Sequence, residues 1–117
     1  MSQSGQDQEL RITTTTEDVS DVLEIVGEID MASAPDLHRA CMALVDSGAK
    51  RVILDTSGVT FIDSTGLGVL VSLQKRLRSE GGEALIRNPS SGLRRLIQVT
   101  NLDRVVPIEG EEVTDGP

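Results

Sequence analysis

The stretch from Val52 to Leu70, reading VILDTSGVTFIDSTGLGVL, constrains the fold more than any other part of the chain. Val52, Ile53 and Leu54 form an unbroken β-branched and aliphatic run, the pattern of a central strand covered on both faces. Asp55 to Val59 reads as the exit loop of that strand, Phe61-Ile62 as a short apolar ledge, and Asp63-Ser64-Thr65 as a helix start. A buried strand that feeds directly into a helix belongs to an α/β sheet, in which helices cross over between strands.

The flanking segments fit that frame. Leu10, Ile12 and Thr14 alternate with polar residues, Val22 to Val26 is apolar apart from Glu24, and Glu17-Asp18 supplies turn chemistry, so the two runs read as a β-hairpin. Gly27 is expected to break the second strand. Ser33-Ala34-Pro35-Asp36 then offers a helix cap, a proline in the first turn and an acid three residues after the cap. Leu37, Cys41, Leu44 and Val45 follow at helical spacing and Gly48 ends the element. A long helix is predicted from Asp63 to about Glu80, with Leu67, Leu70, Leu73 and Leu77 facing inward and Gly81-Gly82 stopping it. Glu83 to Ile86 reads as a strand, Pro89-Ser90-Ser91 opens a third helix with Leu93, Leu96 and Ile97 on its buried edge, and Val105 to Ile108 reads as a last strand. The predicted order is β-β-α-β-α-β-α-β: one α/β domain, a mixed sheet of about five strands with about three helices packed on it.

A chain of 117 residues fits one compact domain. Its boundaries are expected at residues 10–109, between a polar tail over 1–9 and an acidic tail over 110–117 that carries Glu111, Glu112 and Asp115. The net charge of −8 repels a phosphate backbone or an anionic membrane, which argues against nucleic acid and lipid partners. Phe61 is the only aromatic residue, so base-stacking platforms are absent. No apolar run approaches the roughly 20 residues of a membrane span, and Met1 to Glu9 is polar where a signal peptide would be basic and then apolar. A single cysteine, Cys41, has no internal partner for a disulfide or a shared metal, which suits a reducing compartment. A cytoplasmic protein without cofactor or metal is the expectation.

The chemistry concentrates at Asp63-Ser64-Thr65-Gly66. The first turn of a helix leaves backbone N–H groups without intrahelical partners, and the macrodipole adds about half a positive charge there, so a phosphate on Ser64 would be locally accommodated. Asp, Ser and Thr are also the preferred N-cap residues for purely structural reasons. Residue types alone therefore leave Ser64 as either a helix cap or a phosphoacceptor, with Thr65 as its nearest competitor. Gly66 and Gly68, lacking side chains, would let another protein approach closely. Leu67 is either core or contact surface. A hydrolase is disfavoured: Ser64 lacks the Gly-x-Ser-x-Gly elbow, and the lone His38 reads as an exposed helix residue rather than a base. A phosphoaspartate receiver is disfavoured too, since no adjacent acidic pair closes the first strand and no lysine ends the last.

The segment Phe61-Ile62-Asp63-Ser64-Thr65-Gly66-Leu67-Gly68, preceded by Gly27-Glu28-Ile29-Asp30, resembles the signature of the STAS-domain anti-sigma factor antagonists. The resemblance runs from about Leu10 to Ile108 and includes Leu93-Arg94-Arg95-Leu96 and Thr100-Asn101-Leu102. It implies a non-enzymatic switch. Ser64 would be phosphorylated by an anti-sigma factor that is itself a serine kinase, and a dedicated serine phosphatase would reset it. The bare form would sequester the anti-sigma factor and free a sigma factor. Asp30 would lie near Ser64 and help form the docking surface with Thr65, Gly66 and Leu67, while Asp63 positions the serine. The same fold family also contains scaffolds of stress-sensing complexes, which keep the domain without a sigma-factor partner. One departure stands out: family members commonly add a helix after the last strand, whereas here the chain from Gly110 is short and acidic.

Overall fold

A computed structural model describes residues 9–111. Strands β1 (Arg11–Glu17), β2 (Ser20–Ile29), β3 (Arg51–Ile62) and β4 (Glu83–Arg87) form one sheet in the order β1-β2-β3-β4. β1 and β2 are antiparallel, and the other two pairs are parallel. Helices α1 (Ala34–Asp46), α2 (Ser64–Ser79) and α3 (Ser91–Val99) and a 3₁₀ turn at Leu102–Arg104 complete the described fold. The expected tails lie outside the described residues apart from Glu9, Gly110 and Glu111, the last ion-paired with Arg94.

The core lies on one face of the sheet. Leu23 and Ile25 of β2, Val52 and Leu54 of β3, and Ala84 and Ile86 of β4 meet Leu37, Cys41 and Val45 of α1 and Leu70, Leu73 and Leu77 of α2. Alternation along β2 and β3 turns Glu24, Val26, Asp55 and Ser57 to the opposite face. Val22 and Ile53 are buried there as well, outside the main cluster, which is why the Val52–Leu54 run reads as covered on both sides.

Three expectations about the strands need correction. Asp55 to Val59 is not a loop, because β3 runs on to Ile62. Between Glu24↔Asp55 and Val26↔Gly58 the partner strand advances two residues while β3 advances three, and the same single-residue excess recurs between Gly27↔Val59 and Glu28↔Phe61. The first bulge thus absorbs the polar Asp-Thr-Ser-Gly stretch within the strand, and the second falls at Thr60. Gly27 likewise does not end β2. It sits at φ +116°, and a Cβ there would stand 2.5 Å from the Glu9 carbonyl oxygen, so glycine is needed for the strand to continue past this point. Finally, Val105 to Ile108 forms no fifth strand, only a parallel bridge between Ile86 and Ile108. Pro107 has no N–H to give, and the Val105 carbonyl is occupied by the Gln74 side chain.

The start of α1 also differs from the sequence reading. Ser33 occupies the N-cap position but makes no side-chain cap bond. Its hydroxyl donates to the Glu28 carbonyl at 2.8 Å and accepts from the Asp30 N–H at 3.0 Å. The Asp30 carboxylate takes over the loop, accepting from the N–H groups of Ala32 and Ser33, each at 3.0 Å. Asp36, the acid three residues after the cap, pairs with Arg39.

Candidate functional site at the start of the second crossover helix

The site is built on the C-terminal ends of β2 and β3, where Ile29 pairs with Ile62. One residue further on, the Asp63 N–H donates to the Ile29 carbonyl at 3.1 Å, which ties the start of α2 to the end of β2. Asp63 is the N-cap in extended conformation, and its carboxylate accepts from the Gly66 N–H at 3.1 Å. Its carbonyl accepts from the Leu67 N–H at 3.0 Å. The aspartate is thus held by three bonds and closes the first turn with its side chain.

That assignment resolves the alternative left open by residue type. The cap is Asp63, so Ser64 and Thr65 are the first two residues inside the helix, and both are exposed. Their N–H groups lie in the first turn, where helical geometry supplies no carbonyl partner. The Ser64 hydroxyl is therefore not consumed by capping.

Gly66 points the other way. A Cβ there would meet Ile29 Cγ2 at 2.5 Å and Ile62 Cγ1 at 2.7 Å, so this glycine lets α2 lie close against the strand ends. Gly68 is the open one: a Cβ at that position would meet nothing within 4 Å. Leu67 is half-buried and packs against the core cluster, while Val69 and Leu70 are buried.

Asp30 and Asp63 come to neighbouring strand ends through the Asp63–Ile29 bond. Asp30 is half-exposed, and one of its carboxylate oxygens is already engaged by the loop it shapes. Sequence reasoning missed Met31, which is 75% exposed at this end of the sheet, and read Phe61 as part of an apolar ledge without foreseeing that it is 50% exposed. Their apolar character is plain in the sequence, but nothing in the spacing reveals that a loop residue and a strand residue both turn outward. A shallow hollow between α1 and α2, lined by Ala34, Pro35, His38, Arg39, Thr65 and Val69, extends the same surface.

Among the described residues, no group of three or more His, Cys, Asp or Glu side chains is arranged to hold a metal. Among those residues no helix is long and apolar enough to cross a membrane. The one thiol, Cys41, is buried in the core, and burial pushes its pKa up to about 12, which removes it as a nucleophile at neutral pH.

The family model described as the STAS domain matches residues 11–114. An anti-sigma-B factor antagonist from Staphylococcus aureus is 31% identical over 105 residues, covering 89% of this chain and 97% of its own. Another protein of that description from Bacillus subtilis is 38% identical over 90 residues, covering 76% of this chain and 81% of its own. The crystal structure of an anti-sigma factor antagonist from Mycobacterium paratuberculosis superposes with a TM-score of 0.75 at 31% identity, covering 89% of this chain and 88% of that one.

Proposed function

The chain belongs to the STAS domain family, and on that basis we propose that it is an anti-sigma factor antagonist switched by phosphorylation of Ser64. In its bare form it binds an anti-sigma factor that is a serine kinase, and a sigma factor is released. Phosphorylation by that kinase ends the binding, and a serine phosphatase restores it. The observation that carries this reading is the exposed Ser64, freed from capping by Asp63, on a sheet end that also exposes Met31 and Phe61. Exposed apolar side chains beside polar, backbone-rich turns suit a protein contact surface.

The switch works through charge. A phosphoserine adds about −1.5 to −2 charges at neutral pH. It would do so beside the Asp63 carboxylate, with Asp30 at the adjoining strand end, on a chain of net charge −8. In the free protein the helix terminus and water accommodate the phosphate. In a closed interface it must be desolvated, and an unpaired buried charge costs several kcal/mol. Since 1.4 kcal/mol is a tenfold change in affinity, a loss of about 100-fold or more requires no refolding. Asp30, Asp63, Thr65, Gly66 and Leu67 form or support the docking surface: Thr65 in direct contact, Asp63 and Gly66 by fixing the first turn of α2.

The test is co-incubation with candidate anti-sigma serine kinases and ATP, followed by phosphopeptide mass spectrometry and calorimetry. Phosphate is expected on Ser64, with Ser64→Ala retaining kinase binding and Ser64→Asp losing it by about 100-fold. Phosphate on another residue, or equal affinities of the bare and phosphorylated forms, would refute the mechanism.

A further inference from the structure

The two edges of the sheet are finished differently. Beyond β4, the edge is closed: the Ala84 N–H and C=O are bonded to the buried Gln74 amide, and Ile86 exchanges bonds with Pro107 and Glu109. β1 forms the other edge. Among the described residues its only partner strand is β2, and six of its seven residues are exposed, Ile12 being half-buried. It contains no proline, glycine or lysine, and its register with β2 is unbroken from Arg11 to Glu17. Proteins usually blunt a free edge with such devices.

The strand reads Arg-Ile-Thr-Thr-Thr-Thr-Glu. Antiparallel pairing with a second copy about Thr14 sets Arg11 opposite Glu17, Ile12 opposite Thr16, Thr13 opposite Thr15, and Thr14 opposite itself. Both ends of the ladder then carry an opposite-charge pair, and the middle is filled by threonine pairs, combinations that favour a cross-strand contact. Every opposed pair has matching parity in sequence, so core-facing residues meet core-facing residues and the helices of both copies fall on one side. A two-fold axis through Thr14 generates this arrangement, as an isologous interface requires.

We propose that β1 is a homodimerisation edge, joining two copies into one continuous eight-stranded sheet. Glu17 already accepts from Arg87 at 2.9 Å, and a carboxylate has acceptor capacity for the partner's arginine as well. An edge pairing of seven residues per copy is smaller than the roughly 1,000 Å² of a stable interface, so the dimer is weak and concentration-dependent. The antiparallel axis points the Ser64 ends of the two copies in opposite directions and leaves both open. One dimer can therefore engage two partners. Pairing at this edge does not depend on phosphorylation of Ser64.

Sedimentation velocity over a concentration series up to about millimolar tests it, using the full chain and charge-reversed variants with unchanged circular dichroism. The parent is expected to dimerise reversibly and less strongly at high salt. Arg11→Glu and Glu17→Arg, each alone, place like charges opposite each other twice per dimer and should weaken association at least about tenfold. Mixing the two variants restores both opposite-charge pairs and should restore the dimer, as should the double exchange Arg11→Glu/Glu17→Arg within one chain. The double exchange also lacks the Glu17–Arg87 bond, so its recovery separates pairing across the interface from that internal contact. A parent that stays monomeric, single variants that associate like the parent, or mixtures and double exchanges that fail to recover would each overturn the proposal.

Discussion

Gln74 offers the sharpest test of how the fold is closed. It lies in the middle of α2 with 0% exposure, an unusual place for a primary amide. Its Oε1 accepts from the Ala84 N–H at 2.7 Å, while its Nε2 donates to the carbonyls of Ala84 at 2.9 Å and Val105 at 2.8 Å. Only one orientation of the amide satisfies all three contacts, so its assignment is fixed by its partners. The side chain thereby replaces the rung that a fifth strand would have supplied to β4. Gln74→Met keeps the length and removes the polar atoms. It would leave the buried N–H and carbonyl of Ala84 and the half-buried carbonyl of Val105 without partners, and an unsatisfied buried group costs about 1–3 kcal/mol. Burying a thioether in place of an amide returns part of this, and orphaned carbonyls are tolerated better than orphaned N–H groups. A net loss of about 3 kcal/mol is expected, a large share of the roughly 5–15 kcal/mol that holds a domain together. Urea denaturation followed by circular dichroism measures it, and hydrogen exchange at the Ala84 amide localises it. Were Gln74→Met to unfold within about 0.5 kcal/mol of the parent with Ala84 still protected, the amide would be filling space rather than closing the sheet edge.

Gly66→Ala should destabilise by about 1–3 kcal/mol, because the added methyl must displace Ile29 and Ile62, and thermal unfolding reads this directly. The same variant should weaken partner binding beyond what its folded fraction explains, since the displaced turn carries Ser64. Arg87 on β4 ties Glu17 on β1 to Glu109 beyond the last bridge, at 2.9 and 2.6 Å. Hydrogen bonding to this guanidinium holds both carboxyls below their usual value of 4.5. A depressed folded-state value contributes stability above pH 4.5 that is lost as pH falls through the lowered range. Arg87→Met should therefore flatten the acid limb of a plot of unfolding midpoint against pH, leaving the neutral-to-alkaline part parallel to the parent. Cys41 should resist a thiol reagent at about pH 8 in the native protein and react at once in denaturant, because burial holds its pKa at about 12. Fast native labelling would place the thiol outside the core.

Most of the architecture is legible from apolar spacing. The leucines of α2 recur at helical intervals, and α3 is capped by Ser90, whose hydroxyl accepts from the Leu93 N–H as the Pro-Ser-Ser sequence suggests. What escapes a local reading depends on contacts between residues distant in sequence. Asp55-Thr56-Ser57-Gly58 has loop composition, yet Thr56 is buried and donates its hydroxyl to the Arg87 carbonyl, and Gly58 accommodates Val26 across a bulge. Those partners lie about 30 positions away in the sequence, beyond the reach of any local pattern. Val105 to Ile108 has strand composition but is stopped by Pro107 and by competition from Gln74. The site divides in the same way. Helix-start chemistry at residues 63–66 is a local signal, whereas the choice of Asp63 rather than Ser64 as cap follows from backbone geometry. The exposure of Met31 and Phe61 follows from where two strands happen to end.

That choice of cap decides how this end of the molecule would respond to modification of Ser64. A serine that capped α2 with its own hydroxyl would lose the cap on modification, and the helix start would have to rearrange. Here the cap is the preceding aspartate, bonded to Ile29, Gly66 and Leu67, so the first turn is held without any contribution from the Ser64 hydroxyl. Gly66 seats that turn against Ile29 and Ile62, the paired last residues of β2 and β3. A group added at Ser64 therefore meets a fixed platform, and its free-energy consequence falls on whatever approaches from outside. On the proposed reading, selectivity between the bare and modified forms arises in the interface, through the cost of desolvating new negative charge beside Asp63. The rigidity of the platform is what prevents the chain from absorbing that cost by moving away from it.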